Sequence, residues 1–245
     1  MSTLSSSGTQ AVPRPTPGRR VTDAPTRTFH WLFALCFAGA YLTADGERLR
    51  LVHVVLGYTL AGLLVFRLLY GLFGPRQAGL GALWAKVANA PRWLRSLPAA
   101  ATAGSPVNWR LGQNIAMGAA IVGLLLLVAP LTLSGYATYN DWGGEWLEDL
   151  HETLGEGLLW LVLAHLGLLL LLSLWRRQNQ ARPMWSGRVP GPGPDLVKHN
   201  RGWLAALLCV AVLTYWAWEW RQAPATALGA STPSAWVDGA HDGDD

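Results

Sequence analysis

Charge is scarce in this 245-residue chain: 14% of its residues are Asp, Glu, Lys or Arg, against about 25% in soluble domains. So apolar a chain would aggregate in water, which excludes a water-soluble enzyme. Cysteine is scarcer still. Cys36 and Cys209 are the only two, and each lies inside an apolar run. That excludes a disulfide framework and any cysteine-held metal or iron–sulfur site. The net charge of +4 does not point to nucleic acid, because the basic residues fall between apolar segments instead of along one face. What is abundant is apolar surface, at 51% of residues, together with 14 tryptophans. Tryptophan collects at membrane–water interfaces, where its ring is apolar and its N–H still needs a partner.

Five stretches have the length and composition of membrane spans: Thr28–Ala44, Leu51–Phe73, Ile115–Leu133, Leu150–Trp175 and Gly202–Trp220. A bilayer core needs roughly 20 residues of helix. The runs are continuous and Leu/Ala-rich, without the period of two that a membrane strand would show. The expected fold is an all-α membrane protein, a four-helix bundle plus a fifth transmembrane helix. No internal repeat is evident.

Orientation follows from lysine and arginine, which are retained on the cytoplasmic side. Fifteen of the 19 basic residues precede the first run or lie in the second-to-third and fourth-to-fifth connections. Only Arg48, Arg50 and Arg221 fall on the other side, and Arg67 lies within the second run. The N-terminus is therefore expected in the cytoplasm and the C-terminus outside. Residues 1–25, rich in Ser, Pro and Thr, read as a disordered cytoplasmic segment and do not resemble a cleaved signal peptide. Residues 26–221 form the membrane domain. Residues 222–245 read as a flexible, acidic outer tail. The stretch Leu80–Leu97 has helical apolar spacing and reads as an amphipathic surface helix interrupted at Pro91.

Four of the six histidines, His30, His53, His151 and His165, fall in or at the edges of these runs. An ionisable group inside a bilayer is costly and marks function. Counted from the outer charges Arg50, Asp45 and Asp149, His53 and His151 lie two or three residues deep. His30 and His165 lie 15 and 16 residues deep. His151 and His165 share one helix face, within roughly 40° of each other and about 21 Å apart along the axis. The pairs are then His53 with His151 near the outer surface and His30 with His165 deeper, each joining two helices at one depth. Two bis-histidine haems require this arrangement, since cofactor sites in bundles are built from side chains on facing helices. Gly57 and Gly155 lie one turn after His53 and His151, where a missing side chain lets a flat macrocycle approach. Arg67 and Arg27, slightly deeper than the inner histidines, are candidates to pair with haem propionates. Glu152 and Glu156 read as solvated charges, His199 and His241 as non-ligands, and the two cysteines as small packing residues.

These residues carry a resemblance. The segments TRTFHWLFALCFAGAYLT and LVHVVLGYTLAGLLVFRLLYGLFGP, with their R-x-x-H-W and H-x-x-x-G-Y…F-R-x-x-x-G patterns, are similar to the opening of bacterial cytochrome b561 and of the b-type cytochrome subunits of nickel–iron hydrogenases. DLHETLGEGLLWLVLAHLGLLLL, with its two histidines, resembles their fourth helix, and RRQNQARPMWSG the basic segment after it. The similarity spans about residues 26–190. A fifth span occurs in the hydrogenase-type branch.

The resemblance implies two haem b per chain and electron transfer across the inner membrane between quinone (ubiquinone or menaquinone) and a periplasmic redox protein. That partner would be a c-type cytochrome or a hydrogenase-like subunit. Asp141, Glu145, Glu148 and Asp149, with Asp238, Asp242, Asp244 and Asp245 in the tail, make an acidic outer face suited to a basic partner. On this reading the chain is an electron-transfer subunit of an oxidoreductase complex. Two rival readings are a superoxide:quinone oxidoreductase like the four-helix relatives and a haem-free membrane scaffold.

Overall fold

The computed structural model describes residues 18–223, except Gln77. Its principal helices are α1 (Ala24–Leu42), α2 (Arg50–Phe73), α3 (Leu80–Val87), α4 (Ala90–Ala103), α5 (Trp109–Tyr139), α6 (Glu145–Arg176), α7 (Arg182–Ser186) and α8 (Gly202–Gln222). Two short strands, β1 (Arg19–Arg20) and β2 (Arg188–Val189), pair antiparallel, with Arg19 opposite Val189 and Arg20 opposite Arg188. The chain is a multi-pass all-α membrane protein. Four stretches, Glu47–Phe73, Trp109–Tyr139, Glu145–Arg176 and Gly202–Gln222, are long and apolar enough to cross a bilayer. The helix at the first expected span, α1, has 19 residues and is about 28 Å long. It is less apolar, because Thr26, Arg27, Thr28 and His30 occupy its first turns.

The helices overrun the apolar windows. The 31 residues of α5 and 32 of α6 extend past Ile115–Leu133 and Leu150–Trp175, since hydropathy registers only the lipid-facing part of a helix. Pro130 lies inside α5. Gly143 and Gly144, with φ of 90° and 82°, close the turn into α6, a backbone conformation open to glycine at little steric cost.

Helices α1, α2, α5 and α6 form the bundle, and α8 lies on its α1–α2 flank. Trp216 Nε1 of α8 donates to Thr59 Oγ1 of α2 at 2.8 Å. The core comprises Cys36, Leu60, Leu63, Val128 and Leu158, with Phe29, Phe37 and Leu64 around them. The end where α1 and α8 begin carries most of the arginines and is here called the basic end. The opposite end carries Asp45, Asp141, Glu145, Glu148 and Asp149 and is called the acidic end.

The expected amphipathic segment is two helices. The chain breaks at Ala88–Asn89, and Pro91 sits in the first turn of α4, where its missing N–H costs no helical hydrogen bond. Leu83 of α3 is buried against the bundle. Residues 18–25, expected as the end of a disordered segment, are ordered instead. Strand pairing holds Arg19 and Arg20, and the Asp23 side chain caps α1 by accepting from Thr26 N at 3.2 Å. Neighbours distant in sequence supply this order, so local composition did not reveal it. Residues 1–17 and 224–245, including Arg14, His241 and the acidic tail, lie outside the described residues.

Leu158 is fully buried at mid-bundle, whereas Leu163 on the same helix is exposed. Truncating a buried leucine costs about 2–5 kcal/mol, much of it from the cavity left behind. Leu158→Ala should therefore lower the thermal midpoint of the detergent-solubilised protein by several degrees, and Leu163→Ala should leave it in place. A thermal scan of the two variants checks this.

Candidate functional site

The pairing of His53 with His151 is realised. Their ring centroids lie 6.0 Å apart with planes at 84°. Each ring is half-buried and pinned from a third or fourth helix. His53 Nδ1 lies 2.8 Å from the carbonyl of Ala40 on α1. His151 Nδ1 lies 3.0 Å from the carbonyl of Leu131 on α5, with Ser134 Oγ at 3.3 Å. A carbonyl can only accept, so in both rings Nδ1 is the donor of this bond and Nε2 is the nitrogen left to face a ligand. A metal-ligating imidazole is commonly held in this way.

His30 of α1 and His165 of α6 come within electrostatic reach of each other at the deeper level. Here the protein supplies no clamp. His30 Nδ1 and His165 Nδ1 are buried and have no hydrogen-bond partner among the described residues. An unpartnered buried nitrogen is costly, and two at one site mark a place for a ligand. Leu158 lies seven residues from each histidine of α6, so the apolar core separates the two levels.

Glycine makes room beside the outer pair. A Cβ at Gly57 would meet nothing within 4 Å, and one at Gly155 would first meet Leu131 Cδ1 at 4.0 Å. The tighter position is Gly135 on α5, where a Cβ would come within 2.7 Å of His151 Cε1 and 3.0 Å of its Nδ1. Sequence reasoning passed over Gly135. Its only trace there is the small Ser134–Gly135 pair in an otherwise Leu-rich span.

Both candidate arginines have protein partners at the basic end. Arg27 Nη1 donates to the carbonyl of Trp185 at 2.9 Å, and its Nε to that of Asp23 at 3.4 Å. Arg67 is 9% exposed and donates through Nη1 to the carbonyl of Ala78 at 2.9 Å. It also stands within electrostatic reach of Asp23. The cost of a buried arginine is thus met by the chain itself.

A second polar cluster was not anticipated. Asp23, 2% exposed, accepts a hydrogen bond from the hydroxyl of Tyr70, itself 8% exposed. Arg201 Nη1 donates to the same tyrosine oxygen at 3.3 Å. These residues lie 47 and 131 positions apart, and only the N-cap pattern Asp23-Ala-Pro was a sequence signal.

The four imidazoles fit an iron porphyrin. Among the described residues no group of three or more His, Cys, Asp or Glu side chains could hold a bare metal ion. The chain offers two imidazoles per level, and a porphyrin brings its own four nitrogens. Such pairs inside a multi-pass helical membrane protein suit a b-type cytochrome. The family model described as prokaryotic cytochrome b561 matches residues 21–187, and the chain belongs to that family. It is accordingly a membrane cytochrome that binds haem b and takes part in electron transfer. No curated protein and no solved structure matches the chain.

Gly135→Ala should push the His151 ring from its position and lower the haem content per chain in a pyridine haemochrome assay. Gly157→Ala, whose Cβ would meet nothing within 4 Å, should leave it unchanged. Equal haem content in the two variants would refute the clearance role of Gly135.

Proposed function

We propose that the protein is a dihaem cytochrome b of the bacterial inner membrane, passing electrons between the quinone pool and a periplasmic redox protein. The observation that carries this reading is the pair of histidine levels on facing helices, separated by an apolar layer of the core. His53 and His151 would hold the outer haem, and His30 and His165 the inner one. Gly57, Gly155 and Gly135 leave space at the outer level. Arg27 and Arg67 stand at the basic end, where N–H groups not already engaged by Trp185 and Ala78 would pair with propionates of the inner group.

Bound haem b would supply a one-electron iron couple at each level, held by the imidazoles of His53 and His151 and of His30 and His165. The carbonyls of Ala40 and Leu131 fix the outer rings before any ligand arrives, which limits reorganisation. By the charge rule the basic end faces the cytoplasm. The acidic end then faces the periplasm and presents Asp141, Glu145, Glu148 and Asp149 beside exposed Trp142 and Trp146. That surface suits a basic c-type cytochrome or a hydrogenase-like subunit. The chain would serve as the electron-transfer subunit of an oxidoreductase complex.

Purified protein should contain two haems b per chain by pyridine haemochrome. His53→Ala and His30→Ala should each lose one and leave different residual spectra. One haem in the unaltered protein, or identical spectra from the two variants, would overturn the two-level reading.

A further inference from the structure

Helices α3 and α4 lie against the basic end of the bundle, and glycine seats hold them there. Leu80 of α3 rests on Gly71 of α2, where a Cβ would come within 2.6 Å of Leu80 Cγ. The stem of Lys86 rests on Gly118 of α5, where a Cβ would come within 3.2 Å of Lys86 Cβ. The ring of Trp93 on α4 sits on Gly112 of α5, and its Nε1 donates to the Asn108 carbonyl at 3.1 Å. With 14 residues, α4 is too short to cross a bilayer. It also holds Pro98 in its interior, which leaves the carbonyl of Leu94 without its helical donor. Hydrocarbon offers such a carbonyl no partner. Helix α4 therefore belongs in the wet headgroup layer, between the ends of two membrane helices.

Three faces run along α4, roughly a third of a turn apart. Trp93, Leu97 and Ala100 are its less exposed positions and lie on the side toward α5. Leu94 and Pro98 are exposed on the second face, and Arg92 and Arg95 on the third. A helix so divided can lay its apolar face at the acyl boundary and its cations among headgroups. Trp84 of α3 is exposed beside it, a residue at home in that zone.

These cations have no carboxylate on their own elements. From Arg48 to Asn140 the chain contains no Asp or Glu, so α2, α3, α4 and α5 carry none. The described carboxylates of the basic end are Asp23 and Asp195. Asp23 is bonded to Tyr70 and Thr26 N, and Asp195 to Arg20 N. A guanidinium pair at i and i+3, uncompensated and at headgroup depth, matches a phosphate in charge and fork geometry. We propose that α4 binds the phosphate of an anionic phospholipid through Arg92 and Arg95, with Leu94 and Pro98 against its acyl chains. The site is independent of the haem levels and of any redox partner.

The test uses the full-length, haem-loaded protein in nanodiscs of phosphatidylcholine, alone or mixed with phosphatidylglycerol. Lipid retained after extraction from the mixed discs is identified by mass spectrometry. Phosphatidylglycerol should be enriched about tenfold or more over its supplied share, since each basic residue near an anionic surface contributes a preference of about fivefold. Amide exchange across residues 90–103 should be slower in the mixed discs than in pure phosphatidylcholine. The double variant Arg92→Gln with Arg95→Gln should return the lipid ratio to the supplied value and exchange equally in both discs. Arg221→Gln, exposed at the acidic end, should behave like the unaltered protein, and all three should carry the same haem. No enrichment in the unaltered protein, or enrichment kept by the double variant, would overturn the proposal. So would equal slowing of exchange by inorganic phosphate in pure phosphatidylcholine discs, which would make α4 a site for free anions.

Discussion

In a bilayer, a polar group without a partner has no water to fall back on, and that constraint organises this molecule. Each buried polar side chain that recurs in the argument is answered by a group on another element. Ala40 and Leu131 carbonyls answer His53 and His151, Ala78 answers Arg67, Asp23 answers Tyr70, and Thr59 answers Trp216. Lipid gives helices little hydrophobic reason to associate with each other, so packing and such interhelical hydrogen bonds carry the association. The same bonds orient the imidazoles. Stability and site geometry therefore come from one set of contacts; His30 Nδ1 and His165 Nδ1 at the deeper level, and Thr138 Oγ1 on α5, have no such partner among the described residues.

Between the two histidine levels lies an apolar layer that includes Cys36, Leu60, Leu63, Val128 and Leu158. An electron can cross such a layer between fixed groups, whereas a proton needs a chain of hydrogen bonds. The cluster of Asp23, Tyr70 and Arg201 lies on the basic side of the layer and the His53–His151 pair on the acidic side. On the dihaem reading proposed above, electrons would cross the centre of the protein and any proton handling would stay at its ends.

Much of this was legible in the sequence because membrane helices obey simple arithmetic. Charge counts placed the loops, and residue counts from the outer charges paired His53 with His151 and His30 with His165. Those quantities are local or additive along one helix. What escaped notice depends on lateral approach. That Gly135 abuts the ring of His151 requires knowing how α5 and α6 are rotated, and that Asp23 meets Tyr70 requires α1 and α2 in register. Order in residues 18–25 escaped for the same reason, since their partners lie some 170 residues away in the strand pair Arg20–Arg188. The ends of α5 and α6 were underestimated because apolarity fades before helicity does.

That strand pair has a consequence for how the molecule is made. The start of α1 is fastened by Arg188 and Val189, by the Trp185 carbonyl, by a tilted contact of Trp31 with Trp185 at 4.6 Å between ring centroids, and by Asp195, which accepts from Arg20 N at 2.6 Å. Arg201, the last member of the Asp23–Tyr70 cluster, comes later still. Helix α1 is thus locked only after residues 185–201 have followed it out of the ribosome. Until then the His30 level lacks its closing segment. The order of synthesis thus leaves the basic end of α1 open until the connection between α6 and α8 has been made.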